Sequence, residues 1–361
     1  MKGIKSFDWI FYLLIVLILT IGVVAIFSIT YHTDRQTLAI SQLVYAIVGL
    51  ILLVVFSFLD YRALTSASTV LYVVGIILLL VVLFLGRSIL GSTRWIDIGF
   101  FRFQPSEIFK IILILTLASY LSKKEVFKVK DFVIYIFLVS LPTALVLFQP
   151  DLGTALVYLV IGTVLFLACR AREVYILIGT VIVAILLPVF WAFALKDYQR
   201  ERLLTFLDPS RDPFGSGYNV LQSTISVGSG GLWGRGLGHG TQSQLNFLPI
   251  QHSDFIFAVI AEELGFVGAG VLLVLILLLL VRILGISAKS RDALGRYIAF
   301  GVAAMIIFQV LINVGMNIGL MPVTGIPLPL VSHGGSSLFT TLISLGVVGS
   351  IYLRHKKITF E

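Results

Sequence analysis

The sequence contains little charge and almost no cysteine. Charged residues make up 12% of the 361-residue chain, and Cys169 is its single cysteine. One cysteine excludes a disulfide framework and any metal site built from clustered cysteines and histidines. Hydrophobic residues make up 58% of the chain, well above the usual share in a soluble globular protein. The composition therefore predicts an integral membrane protein.

Sequence signatures of several other protein classes are missing as well. The glycine-rich run 228–240 matches neither the dinucleotide fingerprint nor the P-loop, so we interpret it as a flexible loop near a substrate. No internal repeat is visible, although such repeats mark many secondary transporters. The net charge of +8 comes from bases scattered between apolar runs. That distribution is typical of membrane proteins and predicts no nucleic-acid partner.

Ten apolar runs are long enough to cross a bilayer, which takes about 20 residues per helix. Pro150 ends one run, and Asp151 can cap the next. We therefore predict an all-α, polytopic membrane protein: one domain, 1–361, with ten transmembrane helices and a large extracellular loop, 196–253, between helices seven and eight. The runs lie near residues 9–29, 38–59, 68–86, 104–121, 132–149, 152–169, 173–195, 254–281, 297–317 and 334–353.

The distribution of lysine and arginine predicts the orientation of these spans. If the N-terminus is cytoplasmic, most of the 26 Lys and Arg residues fall in the inside segments. The short outside loops then hold only Arg35, Arg87, Arg94 and Arg102. This bias favours both termini in the cytoplasm, and an odd number of spans would remove it.

Ionisable residues within spans are costly and are therefore functional candidates. Glu107 and Lys110 are three residues apart, so they share a helix face. They are either a structural ion pair or substrate contacts. Asp151, at the break between two spans, is either a helix cap or a functional group.

Several basic residues are predicted near the outer membrane surface. Arg94, beside Trp95, is either an interfacial anchor or a ligand for a lipid phosphate. Arg200 and Arg202 follow helix seven closely. Between them and helix eight, residues 220–228 have the periodicity of a short amphipathic helix at the interface.

Three carboxylates lie close together in "HSDFIFAVIAEELG", 252–265. Asp254 begins helix eight at the outer surface, where Asp254 or Ser253 could cap the helix. Glu262 lies eight residues further on, about 12 Å deeper and about 80° around the helix. We therefore expect Glu262 to share a cavity with Asp254, and Glu263 to face elsewhere. Both glutamates are predicted to be structural, and Asp254 is the candidate general base.

The segment 313–337 combines prolines and glycines at membrane depth. Non-helical backbone is tolerated there only if protein buries it or if it lines a cavity. We therefore expect this segment to pack against the cavity that the outside loop covers.

Taken together, five motifs resemble the SEDS family (shape, elongation, division and sporulation), and most closely its elongation branch. They are "RFQPSEIFK" (102–110), "QPDLGT" (149–154), "DYQRERLLTFLDPSRDPFGSGY" (197–218), "GTQSQLNFLPIQHSDFIFAVIAEELGFVG" (240–268) and "MPVTGIPLPLVSHGGSS" (321–337). Their order and spacing make the resemblance specific, and the resemblance extends over nearly all of the predicted spans.

The resemblance implies a peptidoglycan glycosyltransferase that polymerises lipid II at the outer face of the bacterial cytoplasmic membrane, for cell elongation and shape. It also implies partners: a class B penicillin-binding protein and other elongation-complex proteins. The family's essential aspartate falls on Asp254, and its helix-four pair falls on Glu107 and Lys110. Arg94, Arg200, Arg202 or a divalent cation, Mg²⁺ or Mn²⁺, would stabilise the departing pyrophosphate. No organic cofactor is expected.

Two positions depart from the family pattern. His333 stands where the family's final motif has tyrosine, and Thr224 stands where some members have lysine. A phosphate-binding role at position 224 is therefore not carried over. Three alternatives remain: a polymerase of the division branch, a flippase for the lipid-linked precursor, and a catalytically silent scaffold.

Overall fold

The computed structural model describes most of the chain. It covers residues 8–30, 36–89, 92–97, 102–124, 128–169, 174–175, 179, 197–208, 212, 215–245, 247–248 and 250–355. The predicted span 173–195 falls outside the described residues apart from three positions, as does part of the long loop.

Within these residues, eight helices are long and apolar enough to cross a membrane. They are α1 (Trp9–Thr30), α2 (Gln36–Phe58), α4 (Ser68–Leu85), α5 (Pro105–Ser122), α6 (Val129–Phe148), α11 (Ile256–Ala288), α12 (Ala293–Asn317) and α13 (Gly335–Leu353). A further apolar helix, α7 (Leu152–Ala168), has 17 residues. Each corresponds to an apolar run in the sequence.

Four shorter helices connect or flank the long helices in the described chain, besides a small sheet. Helix α3 (Tyr61–Ser66) follows α2, and three helices belong to the long loop: α8 (Asp197–Leu207), α9 (Ser216–Ser229) and α10 (Thr241–Gln244). Helix α9 includes the residues that the sequence predicted as an amphipathic helix. It packs against α11 and α12, so the loop is folded onto the bundle.

Three short strands correct the all-α prediction. They are β1 (Arg87–Ile89), β2 (Ser92–Asp97) and β3 (Arg102–Phe103), and they form an antiparallel sheet in the order β1-β2-β3. Ile96 pairs with Phe103, and Asp97 pairs with Arg102. The strands lie between α4 and α5, in a stretch too short and too polar to form another span. The fold is therefore nearly all-helical.

The core of the bundle is formed by α5, α12 and α13. About three-quarters of the residues in these helices are buried, whereas most residues of α2 and α4 are not. The exposed side chains of the outer helices are large and apolar, as a lipid-facing surface requires, for example Leu43, Ile47 and Ile51 of α2. The polar residues of the central helices therefore point towards other protein atoms.

Both ends of the described chain lie at one end of the bundle. Tyr12, near the start of α1, donates to Ser57 Oγ in α2 at 2.8 Å, and Arg354, after α13, donates to Phe58 O in the last turn of α2. At this end Arg282 of α11 also pairs with Asp8 at 3.0 Å. Asp254 lies at the opposite end.

Helix α11 is interrupted at Gly265, which has φ 68° and ψ −169°. The glycine-rich run of the loop fills this break with its own backbone. Two N–H groups of the loop donate to carbonyls of α11, and two N–H groups of α11 donate to carbonyls of the loop. The bonds run from Arg235 to Glu262 O (3.0 Å), Gly236 to Glu263 O (2.9 Å), Phe266 to Gly231 O (2.8 Å) and Val267 to Leu232 O (3.1 Å).

This exchange restores the helical hydrogen bonds that the break removes, because Glu262 and Glu263 would ordinarily accept from Phe266 and Val267. The run 228–240 was expected to be a flexible loop near the substrate. In the structure it is instead bonded into α11, away from Asp254.

Candidate active site

Asp254 lies two residues before α11, at the end of the bundle opposite the chain ends. Its carboxylate accepts a hydrogen bond from Ser253 Oγ at 2.9 Å. Neither Asp254 nor Ser253 caps the helix, because the cap position is Phe255 and no side chain of that residue can accept a bond there. The carboxylate is therefore free of the structural role that the sequence left open.

Two asparagines of α12 bond to the backbone at Asp254 and in the first turn of α11. Asn313 Nδ2 and Asn317 Nδ2 each donate to Asp254 O at 3.0 Å. Asn317 Oδ1 accepts the backbone N–H of Ala258, the third residue of α11, at 3.1 Å. That bond is the one that an N-cap side chain of the same helix usually makes.

The segment 321–337 lines the other side of Asp254, as expected from its prolines and glycines. Ser332 Oγ donates to Ser253 O at 2.7 Å. Gly325 has φ 74°, and a side chain at this position would contact the Asp254 carboxylate, at 3.6 Å from Oδ2. Glycine therefore both permits the backbone conformation and leaves room beside the carboxylate.

Asp151 forms a second polar centre beside the same segment. It caps α7 by accepting from Thr154 N at 3.1 Å, and it also accepts from Gln104 Nε2 at 3.2 Å. Arg94 lies 3.6 Å from the Asp151 carboxylate and donates to the Pro150 carbonyl. Gly153 packs so closely on the carbonyl of Thr324 that it joins α7 to the 321–337 segment.

Two arginines lie near Asp254 and lower the cost of its negative charge. Its side chain keeps some exposed surface, yet burial among protein atoms raises its pKa, and the hydrogen bond from Ser253 and the charges of Arg202 and Arg94 oppose that rise. Arg202, in α8, also donates to Val323 O at 3.5 Å. Arg200, two residues earlier on α8, is partly buried.

A cavity lies between Arg94, Arg202 and the 321–337 segment. Its walls come from β2, the start of α7, α8 and the 321–337 segment: Arg94, Pro150, Leu152, Gln199, Arg202 and Thr324. Thr324 Oγ1 is buried and has no hydrogen-bond partner among the described residues. It is a candidate substrate contact that no sequence pattern indicated.

The described residues provide no cage for a metal ion. They contain no group of three or more His, Cys, Asp or Glu side chains placed to share a cation. The charged groups that act on Asp254 are two arginines and one further carboxylate. These residues do not fit a dedicated metal site, and the chemistry considered below uses side chains alone.

The family model FTSW_RODA_SPOVE, described as "Cell cycle protein", matches residues 8–357 of this chain. The chain belongs to this family. The SEDS resemblance is thereby confirmed. The FtsW/RodA/SpoVE match spans every described helix, so the geometry around Asp254 lies entirely within the family's domain.

Named relatives agree with the family match. Peptidoglycan glycosyltransferase MrdB of Escherichia coli K12 is 46% identical over 271 residues, which is 74% of this chain and 73% of the relative. The Rod shape determining protein RodA of Thermus thermophilus has a solved structure that is 32% identical, with a TM-score of 0.72 and coverage of 96% of both chains. A structure described as "Structural coordination of polymerization and crosslinking by a peptidoglycan synthase complex" is 38% identical, with a TM-score of 0.83 and coverage of 97% of this chain and 98% of that chain.

Glu107 and Lys110 form a buried pair in α5. Lys110 Nζ lies 2.7 Å from Glu107 Oε1, and both side chains are almost completely buried. Their helix packs against α12, α13 and α4. No described contact joins this pair to Asp254, so its position in the centre of the bundle favours a structural role over substrate contact.

Glu262 and Glu263 hold the long loop, and the Glu262 carboxylate faces that loop and not Asp254. Glu262 accepts the backbone N–H groups of Gln242 at 2.8 Å and Ser243 at 3.1 Å. Glu263 accepts the N–H of Gly238 at 3.2 Å. The expectation that Glu262 faces the same cavity as Asp254 was therefore wrong.

The expected depth of these glutamates also needs correction. Gln244, next to the loop residues that bind Glu262, donates to Ser28 O in the last turn of α1 at 3.1 Å. The glutamates therefore lie near the end of the α1 span and not well inside it. Helix geometry counted from Asp254 misplaced them because α11 begins at Ile256, so Asp254 does not lie on the helix.

His333, which replaces the family's tyrosine, has neighbours on two other segments. Its Nε2 lies 3.0 Å from Ser41 Oγ in α2, and its ring centroid lies 5.6 Å from that of His252. Burial and the neighbouring His252 lower the pKa of His333 to about 4. The ring is therefore neutral near pH 7 and serves as a hydrogen-bonding aromatic group, as a tyrosine would.

Asn313, Asn317, Ser332 and Gln104 were not predicted as site residues. One signal was available for the asparagines, because their spacing of four places both amides on one face of α12. The position of their partner, the Asp254 carbonyl, could not be read from the sequence.

Proposed function

We propose that this protein is a peptidoglycan glycan-strand polymerase that uses lipid II, with Asp254 as the general base. The observation that carries the proposal is the Asp254 carboxylate itself. It is not used as a helix cap, Gly325 leaves room beside it, and Arg202 and Arg94 are nearby. The names and family of its relatives support the reaction class.

In the proposed reaction, Asp254 accepts the proton of the GlcNAc 4-hydroxyl of the acceptor lipid II as its oxygen attacks. The attacked atom is the anomeric carbon of MurNAc at the end of the donor chain. The new C–O bond forms on the face opposite the leaving group, so the configuration inverts. Undecaprenyl pyrophosphate departs with the electron pair of the broken bond.

The arginines of the cavity are suited to the leaving group. The guanidinium group presents a planar set of donors that matches phosphate oxygens. We assign this role to Arg94 and Arg202, which line the cavity, with Arg200 as a weaker candidate from the same helix. A required Mg²⁺ or Mn²⁺ would have to be held largely by phosphate oxygens, because protein carboxylates are few here.

The proposed topology is ten spans with both termini in the cytoplasm and the 196–253 loop outside. The helices on either side of the predicted span 173–195 support its inclusion in the count. Ala168 ends α7 at the end of the bundle opposite Asp254, because α7 begins beside Asp151 and Thr324. Arg202, in α8, lies at the Asp254 end again. We therefore propose that the predicted span 173–195 connects these two ends, since Ala168 and Asp197, the described residues that precede and follow it, belong to helices whose contacts lie at opposite ends of the bundle.

The partner we propose is a class B penicillin-binding protein, within an elongation complex that maintains cell shape. The similarity to a peptidoglycan synthase complex that couples polymerization with crosslinking supports this partner. The similarity to a rod shape determining protein supports the elongation role.

The test is polymerisation of purified lipid II by the full-length protein, with and without the partner transpeptidase. We expect Asp254→Asn to abolish glycan synthesis, since the amide cannot accept the proton. Asp208→Asn, an equal charge change at an exposed residue of the loop, should retain activity. Normal polymerisation by Asp254→Asn would overturn the assignment. Transbilayer movement of lipid II without glycan formation would indicate a flippase instead.

A further inference from the structure

An aspartate directly before a helix usually caps it, because its carboxylate can accept the unpaired N–H groups of the first turn. Such a carboxylate is occupied and its pKa is lowered by those bonds. Asp254 lies two residues before α11 and is therefore within reach of that role. The structure gives the role to another helix.

Asn317 of α12 performs the capping from outside α11. Its Oδ1 accepts the N–H of Ala258 at 3.1 Å, while its Nδ2 donates to Asp254 O at 3.0 Å. One amide thus satisfies a donor inside the helix and an acceptor just before it. Asn313 Nδ2 makes a second bond to the same Asp254 carbonyl.

Both amides are themselves fixed. Asn313 and Asn317 are completely buried. The second proton of each amide is also bonded, that of Asn313 to Ile326 O at 2.8 Å and that of Asn317 to Asn313 O at 2.8 Å. Ser223 of α9 donates to Asn317 O at 2.9 Å. Because all their donors are used, the asparagines cannot rotate without losing several buried bonds.

We propose that Asn317, supported by Asn313, is a positioning residue that holds the peptide of Asp254 and caps α11 in its place, so that the carboxylate stays directed at the substrate. This inference rests on the proposed polymerase function. It assigns Asn317 a task distinct from general stability, because the oxygen of a base must lie about 2.6–3.2 Å from the hydroxyl oxygen whose proton it accepts.

The test compares Asn317→Ala, Asn317→Asp and Gln309→Ala in steady-state polymerisation over a range of pH. Gln309 is the matched control: it is a completely buried amide eight residues earlier on α12, and no described bond joins it to Asp254. We expect Asn317→Ala to lower kcat about a hundredfold with KM for lipid II changed less than about threefold, since small displacements of a catalytic group have effects of this size. Gln309→Ala should change neither by more than about threefold.

The pH profile separates positioning from stability. In Asn317→Ala the Asp254 carboxylate is free to cap α11 itself, and accepting backbone N–H groups lowers its pKa. The acid limb of the kcat profile should therefore move to lower pH. Asn317→Asp keeps an acceptor for Ala258, so its acid limb should not move down. The near-isosteric Asn317→Asp also provides a reading if Asn317→Ala does not fold.

Each outcome has one meaning. If Asp254→Asn is inactive while Asn317→Ala matches the wild type in kcat and acid limb, the positioning role is wrong and the general base stands. If Asn317→Ala loses kcat no more than Gln309→Ala does, the residue is only structural. If Asp254→Asn itself is active, the proposed function fails first.

Discussion

At the scale of single residues, the charge balance around Asp254 determines when it can act as a base. Burial raises its pKa above the ordinary value for aspartate, and Arg202 and Arg94 oppose that rise. A base works in its deprotonated form. Polymerisation should therefore be present above the pKa of Asp254 and disappear as the pH falls through it.

Arg202→Gln tests this balance. Removing the positive charge raises the pKa of Asp254 further, so the acid limb of the kcat profile should move to higher pH. KM for lipid II should also increase if Arg202 binds pyrophosphate. Arg235→Gln, which removes an exposed arginine of the same loop, is the control and should leave the limb in place. An unchanged limb in Arg202→Gln would contradict the proposed charge balance.

At the scale of elements, the interrupted helix α11 fixes the long loop. The loop supplies four backbone bonds at the break, and the carboxylates of Glu262 and Glu263 accept three more loop N–H groups. The two glutamates therefore bond to the loop, and no described bond joins either of them to Asp254.

Two glycines of this loop provide a matched stability test. Gly234 has φ 80°, and a side chain there would collide with the Glu263 carbonyl. Gly231 has φ 55° but open space around it. Gly231→Ala should cost about 1–2 kcal/mol, the usual cost of a left-handed L-residue. Gly234→Ala adds the collision and should cost more.

The measurement is thermal unfolding of the purified variants in detergent. We expect the midpoint of Gly234→Ala to lie clearly below that of Gly231→Ala. Equal midpoints would show that the loop can leave the break in α11 at no cost.

At the scale of the whole molecule, the polymerase reaction requires that the Asp254 end of the bundle face the outside, where glycan accumulates. Tyr12 and Arg354 place both ends of the described chain at the opposite end. The proposed topology, which follows the positive-inside rule, predicts that this opposite end is cytoplasmic.

Sided labelling checks this orientation. In a Cys169→Ser background, new cysteines are placed at two exposed positions, His239→Cys in the loop and Lys289→Cys after α11. A membrane-impermeant maleimide should label His239→Cys in intact spheroplasts, and Lys289→Cys only after permeabilisation. The reverse pattern would contradict the proposed topology.

The sequence by itself determined the membrane class, the positions of the long helices and the candidate aspartate. These follow from local properties, because apolar length identifies a span and motif spacing identifies the family. The Glu107–Lys110 pair could also be predicted, since residues three apart on one helix are neighbours whatever surrounds them.

The tertiary structure alone decided which groups surround Asp254 and what the other carboxylates do. Asn317 and Asp254 are 63 residues apart. Glu262 was misplaced because its position was counted along a helix from Asp254, whereas the helix begins only at Ile256. The short strands before α5 were missed because such pairing depends on neighbouring strands more than on propensity. The candidate active site is therefore defined by contacts between distant segments and by the backbone geometry that permits them.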